Sequence, residues 1–344
     1  MKLVKFFGFI GLLFVPLTLL GLTAYDWLYR SVFVFIAIIL MGLLLIYFAL
    51  RMYQQNVNSE PWELKKIDWQ DFLFAYFAAI LTYNLGMSGH ISSVEASVIM
   101  GLIGATIFKK HDKAIFAGSF LGMASATVFG AWGFVLASLL VAFVFVFTRP
   151  LFKGVGGKLG IVAFTGALLS FLLLDLTPSV GITFTLIQGV YLVIASVVGA
   201  VLTRVIAKIE GTSVVLASSL VGLIFMTFFD NDSFSLSPYI AICGYGASFV
   251  GMSDLKQMKN SYIVGFGGLL FGIIFYLGSN VFGGFGGKLG TTAFIASIIT
   301  IGIVNRFNQI KSQEGTSIIE LNGAKYKQII CFFFLITIHD YRII

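Results

Sequence analysis

Gly156-Gly157-Lys158-Leu159-Gly160, with Ala163-Phe164 just behind it, returns 130 positions later as Gly286-Gly287-Lys288-Leu289-Gly290 with Ala293-Phe294. Upstream, Phe120-Leu121-Gly122-Met123 matches Phe249-Val250-Gly251-Met252. Further upstream, Ala96-Ser97 with Gly101-Leu102-Ile103 matches Ala217-Ser218 with Gly222-Leu223-Ile224. Three matches in one order mark an internal duplication. In membrane proteins, duplicated halves usually enclose a substrate path at their interface.

Composition sets the class. Of 344 residues, 58% are hydrophobic and 11% charged, with mean hydropathy +0.99, too little polar surface to coat a soluble fold. The net charge of +7 lies in short clusters between apolar runs, which fits membrane topology better than a nucleic-acid face. Cys243 and Cys331 sit in apolar surroundings, so neither a disulfide framework nor a thiolate metal site is expected.

Apolar runs long enough to cross a bilayer fall at 7–23, 31–50, 71–87, 92–108, 114–129, 131–148, 159–176, 183–205, 212–229, 237–253, 261–280 and 289–305. The expected fold is an all-α polytopic membrane protein with about twelve transmembrane helices. The first run follows Lys2 and Lys5 but lacks a clear cleavage site, so it reads as an anchor rather than a signal peptide. Residues 51–70 form a polar linker in which Trp62 and Trp69 suit the headgroup level. The tail, 306–344, is polar apart from 329–338, which is too short to span.

Short cytoplasmic loops collect Lys and Arg. With the N-terminus inside and twelve alternating spans, the clusters at 2–5, 51–66, 109–113, 149–158, 204–208, 256–259 and 306–327 all fall on the cytoplasmic side, and only Arg30 and Lys288 fall outside. Each copy of the duplication, 71–176 and 183–305, then holds five spans, so the second copy enters the membrane from the opposite face. The repeats are expected to be inverted about an axis in the membrane plane, preceded by two extra helices. Lys158 belongs at the cytoplasmic mouth and Lys288 at the external one. The short run at 114–129 and its counterpart 237–253 either cross or re-enter; re-entry would move Arg149, Lys153 and Lys158 outside, against the charge rule.

Several motifs bear on function, each with an ordinary packing alternative. Gly157 and Gly287, with Lys158 and Lys288, open the last span of each repeat, where backbone N–H groups and helix dipole favour an anion; close helix contact with a snorkelling lysine explains them as well. Phe120, Gly122 and Met123, with Phe249, Gly251 and Met252, stand among small residues that permit broken helices lining a path. Ser97 and Ser218 add repeated hydroxyls to that path. Glu95 is the one carboxylate well inside an expected span and is the candidate coupling site, although it lies about one turn from the outer face. Cys243-Gly244-Tyr245-Gly246 is a weak echo of a potassium filter and is absent from the first repeat. His occurs only at positions 90, 111 and 339 without metal-ligand spacing, so no catalytic set, metal or cofactor is expected.

The layout resembles the urea transporter family in length, in two inverted five-span halves and in the order of its repeated pieces. Those pieces are Gly101-Leu102 and Gly222-Leu223, then Ser119-Phe120 and Ser248-Phe249, then the two Gly-Gly-Lys-Leu-Gly elements. The family's Asn-Gly helix start and its Pro-Phe signature are missing. The resemblance implies a channel or facilitator for a small polar, urea-like solute through a pore between the repeats. An ion-coupled transporter for a small anion and a non-transporting scaffold are the alternatives. The expected partners are the solute, the bilayer and a second copy of the chain, with no nucleic acid. The expected location is a bacterial inner membrane with both termini cytoplasmic.

Overall fold

The computed structural model describes residues 2–56, 66–179, 181–229 and 235–313. Residues 57–65 of the linker with Trp62, residues 230–234 with Asp230 and Asp232, Cys331 and the tail beyond 313 lie outside the described residues. Among those described the fold is all-helical, with no β-strand and one isolated bridge between Ser179 and Gly283. The helices are α1 (Lys2–Trp27), α2 (Val32–Asn56), α3 (Lys66–Met87), α4 (Ser93–Thr106), α5 (Asp112–Gly122), α6 (Ala126–Phe147), α7 (Lys158–Leu173), α8 (Leu186–Ile206), α9 (Val214–Phe229), α10 (Ser237–Gly251), α11 (Ser261–Leu277) and α12 (Lys288–Gln313). By length and composition, Leu3–Trp27, Val32–Gln55, Ala126–Phe147, Leu186–Ile206 and Lys288–Gln309 are able to cross a membrane; Ser93–Thr106, Lys158–Leu173, Val214–Phe229 and Ser261–Leu277 are apolar but shorter.

One expected span is not a single helix. The run 114–129 divides at Met123–Ser125: α5 stops at Gly122, and Ser125 caps α6 by accepting a hydrogen bond from the Thr127 N–H at 3.3 Å. Apolar character runs straight through this break, so hydropathy alone reads it as one segment. α6 itself breaks at Gly130, whose φ of 56° and ψ of −173° lie outside the helical region. At 11 residues, about 16 Å at the usual rise, α5 is too short for a bilayer-spanning helix.

The five helices α3–α7 and the five helices α8–α12 pack in matching ways. In both, the third helix lies against the first (α5 on α3, α10 on α8) and the fourth against the fifth (α6 on α7, α11 on α12). The two sets meet through equivalent helices. A Cβ built on Gly160 would lie 2.2 Å from the Gly290 Cα, and one on Gly290 would lie 2.3 Å from the Gly160 Cα. Around that point Gly157 abuts Phe294 and Gly287 abuts Phe164, so α7 and α12 cross antiparallel at their first turns. α4 and α9 also cross antiparallel, nearer their middles, with Gly101 against Ser219 and Gly222 against Val98. Reciprocal contacts of this kind define an approximate two-fold axis perpendicular to these helices.

The segments before α7 and α12 are exchanged across the axis. Phe152 packs edge-on against Phe294, at 5.0 Å between ring centroids, and Phe282 against Phe164 at 5.1 Å. The Asp254 N–H donates to the Gly154 carbonyl, and the Ser125 N–H to the Gly284 carbonyl, both at 2.8 Å. Phe152 and Phe282 both hold positive φ, 48° and 53°, a costly conformation for a bulky side chain. Each ring's burial against the opposite half holds that backbone in place.

α1 and α2 lie against α7 and α12 outside the duplicated set. The Trp27 indole N–H donates to the Leu277 carbonyl at 2.9 Å, and Gly302 of α12 leaves room for the Phe48 ring. The outward faces carry many large apolar side chains, among them Phe7, Leu43, Phe77, Leu172 and Phe228. Trp132 and Tyr262, at equivalent positions near the starts of α6 and α11, are 85% and 90% exposed.

The Gly160–Gly290 contact leaves no room for a methyl group, and overpacked cores lose about 1–3 kcal/mol. Gly160→Ala is therefore expected to lower the unfolding midpoint in detergent. Gly42→Ala, where a Cβ meets nothing within 4 Å, is expected to leave it nearly unchanged.

Candidate functional site

Two cavities lie at opposite ends of α4, α5 and α10. The first, about 610 Å³, is lined by residues following α4 (Lys109, Lys110), by the start of α5, and by Phe249 and Met252 near the end of α10. The second, about 380 Å³, is lined by Ser93 and Val94 at the start of α4, by Met123 beyond the end of α5, and by Tyr239 and Ile242 near the start of α10. Their walls are built from equivalent residues: Lys158 and Lys288, Gly157 and Gly287, Leu159 and Leu289, Met252 and Met123, Phe145 and Phe275. The two-fold axis thus relates one cavity to the other.

On the wall of the first cavity stand Phe120 and Phe249, whose ring centroids are 4.4 Å apart across the axis. Phe116 lies 4.4 Å from Phe120 and 5.9 Å from Phe249, and Tyr245 lies 4.8 Å from Phe249. All four rings are essentially unexposed. Behind them is a buried hydroxyl layer. Ser97 Oγ is 3.1 Å from Ser119 Oγ and 3.1 Å from the Tyr245 hydroxyl, while Ser218 Oγ is 2.6 Å from Ser248 Oγ. Ser119 and Ser248 each donate to a carbonyl one turn back, Phe116 and Tyr245 respectively. The two halves differ where Tyr245 stands opposite Phe116: only one ring carries a hydroxyl.

The first cavity is basic. Lys109, Lys110, Lys113, Arg149, Lys153 and Lys158 line it, against Asp71 and Asp112. Arg149 pairs with the buried Asp68, and Asp71 Oδ1 lies 2.6 Å from His111 Nδ1, so part of this charge is internally balanced. Among the described residues, the one charged side chain lining the second cavity is Lys288. Both repeated lysines tie down the segment before their helix: Lys158 Nζ donates to the Arg149 carbonyl at 2.8 Å, and Lys288 Nζ donates to the carbonyls of Ser279, at 3.2 Å, and Val281.

The sequence candidates divide accordingly. Phe120, Phe249, Met252 and Lys158 line the first cavity, and Met123 and Lys288 the second. Ser97 and Ser218 lie in the hydroxyl layer. Gly122 and Gly251 face Thr82 and Thr203 of the first helix of each half, allowing tight packing there. Gly157 and Gly287 are helix caps at positive φ, 79° and 86°, pressed against the opposite helix. Glu95 is the third residue of α4 and completes a capping box: its Oε2 accepts from the Ser92 N–H at 2.7 Å while Ser92 Oγ accepts from the Glu95 N–H.

The sequence singles out Tyr245 only within the weak filter echo, and gives no reading of Phe116 or of the exchanged segment with Phe152 and Phe282. The signal for the last was present, since Phe152 and Gly154 recur as Phe282 and Gly284 at the same 130-residue offset. The cluster Lys109, Lys110 and Lys113 was noted only as topology. No protein-family model, curated protein or solved structure matches this chain.

Tyr245 is wholly buried, and its hydroxyl meets Ser97. Tyr245→Phe is expected to cost about 1 kcal/mol, the usual net value of one buried hydrogen bond. Chemical unfolding in detergent measures it, with Tyr239→Phe, a half-buried ring of the second cavity, as the comparison.

Proposed function

We propose that this protein is an integral membrane facilitator that passes a small polar solute between its two cavities, along the interface of two inverted five-helix halves. The observation that carries this reading is the pairing of the cavities. Equivalent residues line both, and the cavities open at opposite ends of the same helices; in this reading the Phe120–Phe249 pair, on the wall of the first, is the constriction between them. An axis perpendicular to helices that cross a bilayer lies in the membrane plane, which makes the repeats inverted.

Twelve crossings, with α5 and α10 spanning only the thickness between the cavities, agree with this arrangement. The outward apolar side chains suit lipid. Trp132 and Tyr262, at the starts of α6 and α11, suit the two opposite headgroup layers. The basic end then faces the cytoplasm of a plasma membrane, with the N-terminus on that side. Coupling to a proton or sodium ion has less support, because Glu95 is engaged in a helix cap and, among the described residues, no carboxylate lines the second cavity. The urea-like order of pieces gives a first probe.

The protein reconstituted in liposomes is expected to accelerate passage of at least one of urea, glycerol, nitrate and chloride, without dependence on a proton or sodium gradient. Phe120→Ala combined with Phe249→Ala is expected to raise the rate several-fold by removing the constriction. Stopped-flow light scattering and anion-electrode traces measure both. No acceleration of any of the four solutes would leave the scaffold reading in place of the facilitator.

A further inference from the structure

Resting on the facilitator reading, we infer that the path is selective for small monovalent anions, gathered in the first cavity and passed between Lys158 and Lys288. Three chain segments converge on that cavity: the α4–α5 turn brings Lys109, Lys110 and Lys113, the exchanged segment brings Arg149 and Lys153, and α7 begins with Lys158. A concave site lined by one sign of charge within low-dielectric walls concentrates the opposite ion. Membrane topology alone explains basic residues at this end of the molecule but not their gathering around one cavity; Lys208, Lys256 and Lys259 at the same end do not line it. Nor does topology explain Lys288, which stands at the other end against the charge rule.

Lys158 and Lys288 occupy equivalent positions, each two residues from the Gly160–Gly290 crossing, and they line different cavities. Among the described residues, Lys158 uses one of its three N–H donors on a carbonyl and Lys288 uses two, so both keep donor capacity toward their cavities. Among the described residues, the Phe116, Phe120 and Phe249 rings beside the first cavity carry no charge and no carboxylate lines the second cavity. Ring edges are weakly positive, which is favourable to an anion. Lys113, Arg149 and Lys153 line the first cavity together with Lys158, while Lys288 is the one cation among the described residues lining the second. The Born cost of desolvation rises with the square of the charge, so a divalent anion is excluded where a monovalent one passes. A neutral solute gains nothing from this charge.

The test uses the full chain in neutral-lipid liposomes, with nitrate, chloride, sulfate and urea as probes and valinomycin with potassium to compensate charge. The expected result is nitrate or chloride flux that needs valinomycin and exceeds urea flux, with no sulfate flux. Lys109, Lys110 and Lys113 are all exposed, so replacing the three together by Gln leaves packing intact. That triple variant is expected to lower anion flux by roughly tenfold at low ionic strength, the lower end of electrostatic steering. The deficit is expected to shrink in concentrated salt, where the Debye length falls to about 3 Å. Urea flux without nitrate or chloride flux would overturn the anion inference and keep the facilitator. Anion flux unchanged in the triple variant at low salt would also overturn it. Absence of flux for every probe would overturn both readings.

Discussion

The arrangement depends on the contact of two backbones, Gly160 of α7 and Gly290 of α12, at a separation no side chain would permit. Small residues allow helices to approach in this way and gain dispersion energy where no hydrophobic driving force separates helix from lipid. Because the two glycines are equivalent in the duplication, their contact lies on the two-fold axis and fixes the directions of both helices. The placement of the lysines follows. Lys158 and Lys288, each two residues from the contact, point into cavities at opposite ends. The exchanged phenyl rings of Phe152 and Phe282 then bind each half's loop to the other half.

Much of this was legible in the sequence because duplication and hydropathy are robust signals. Apart from the run 114–129, which divides between α5 and α6, each apolar run coincides with one helix among the described residues, and the repeated Phe120 and Phe249 meet ring to ring. The break at Met123–Ser125 was hidden because apolar residues continue across it, and only the Ser125 cap marks the new helix. Gly122 and Gly251 were read with their neighbours as path residues, but a helix that is buried all round has no polar face to show which way each position points. They serve the contacts with Thr82 and Thr203 instead.

Glu95 illustrates the opposite failing. A carboxylate inside an apolar run attracts a functional reading, yet the spacing Ser92-x-x-Glu95 is that of a capping box, worth about 1 kcal/mol to the helix start. The lysines before α5 were likewise read for topology alone, since a linear sequence does not say that the 109–113 and 149–158 segments meet. Folding converts a count of positive charges into a cavity lined by them.

Inverted halves would open equivalent positions to opposite faces of a membrane. Lys153 and Gly283 are such a pair, one lining each cavity. The decisive measurement is labelling of Lys153→Cys and Gly283→Cys, each in a Cys243→Ser, Cys331→Ser background, with a membrane-impermeant maleimide applied separately to right-side-out and inside-out vesicles. Lys153→Cys should react only from the cytoplasmic side and Gly283→Cys only from the external side. Reaction of both from the same side would contradict the inverted arrangement.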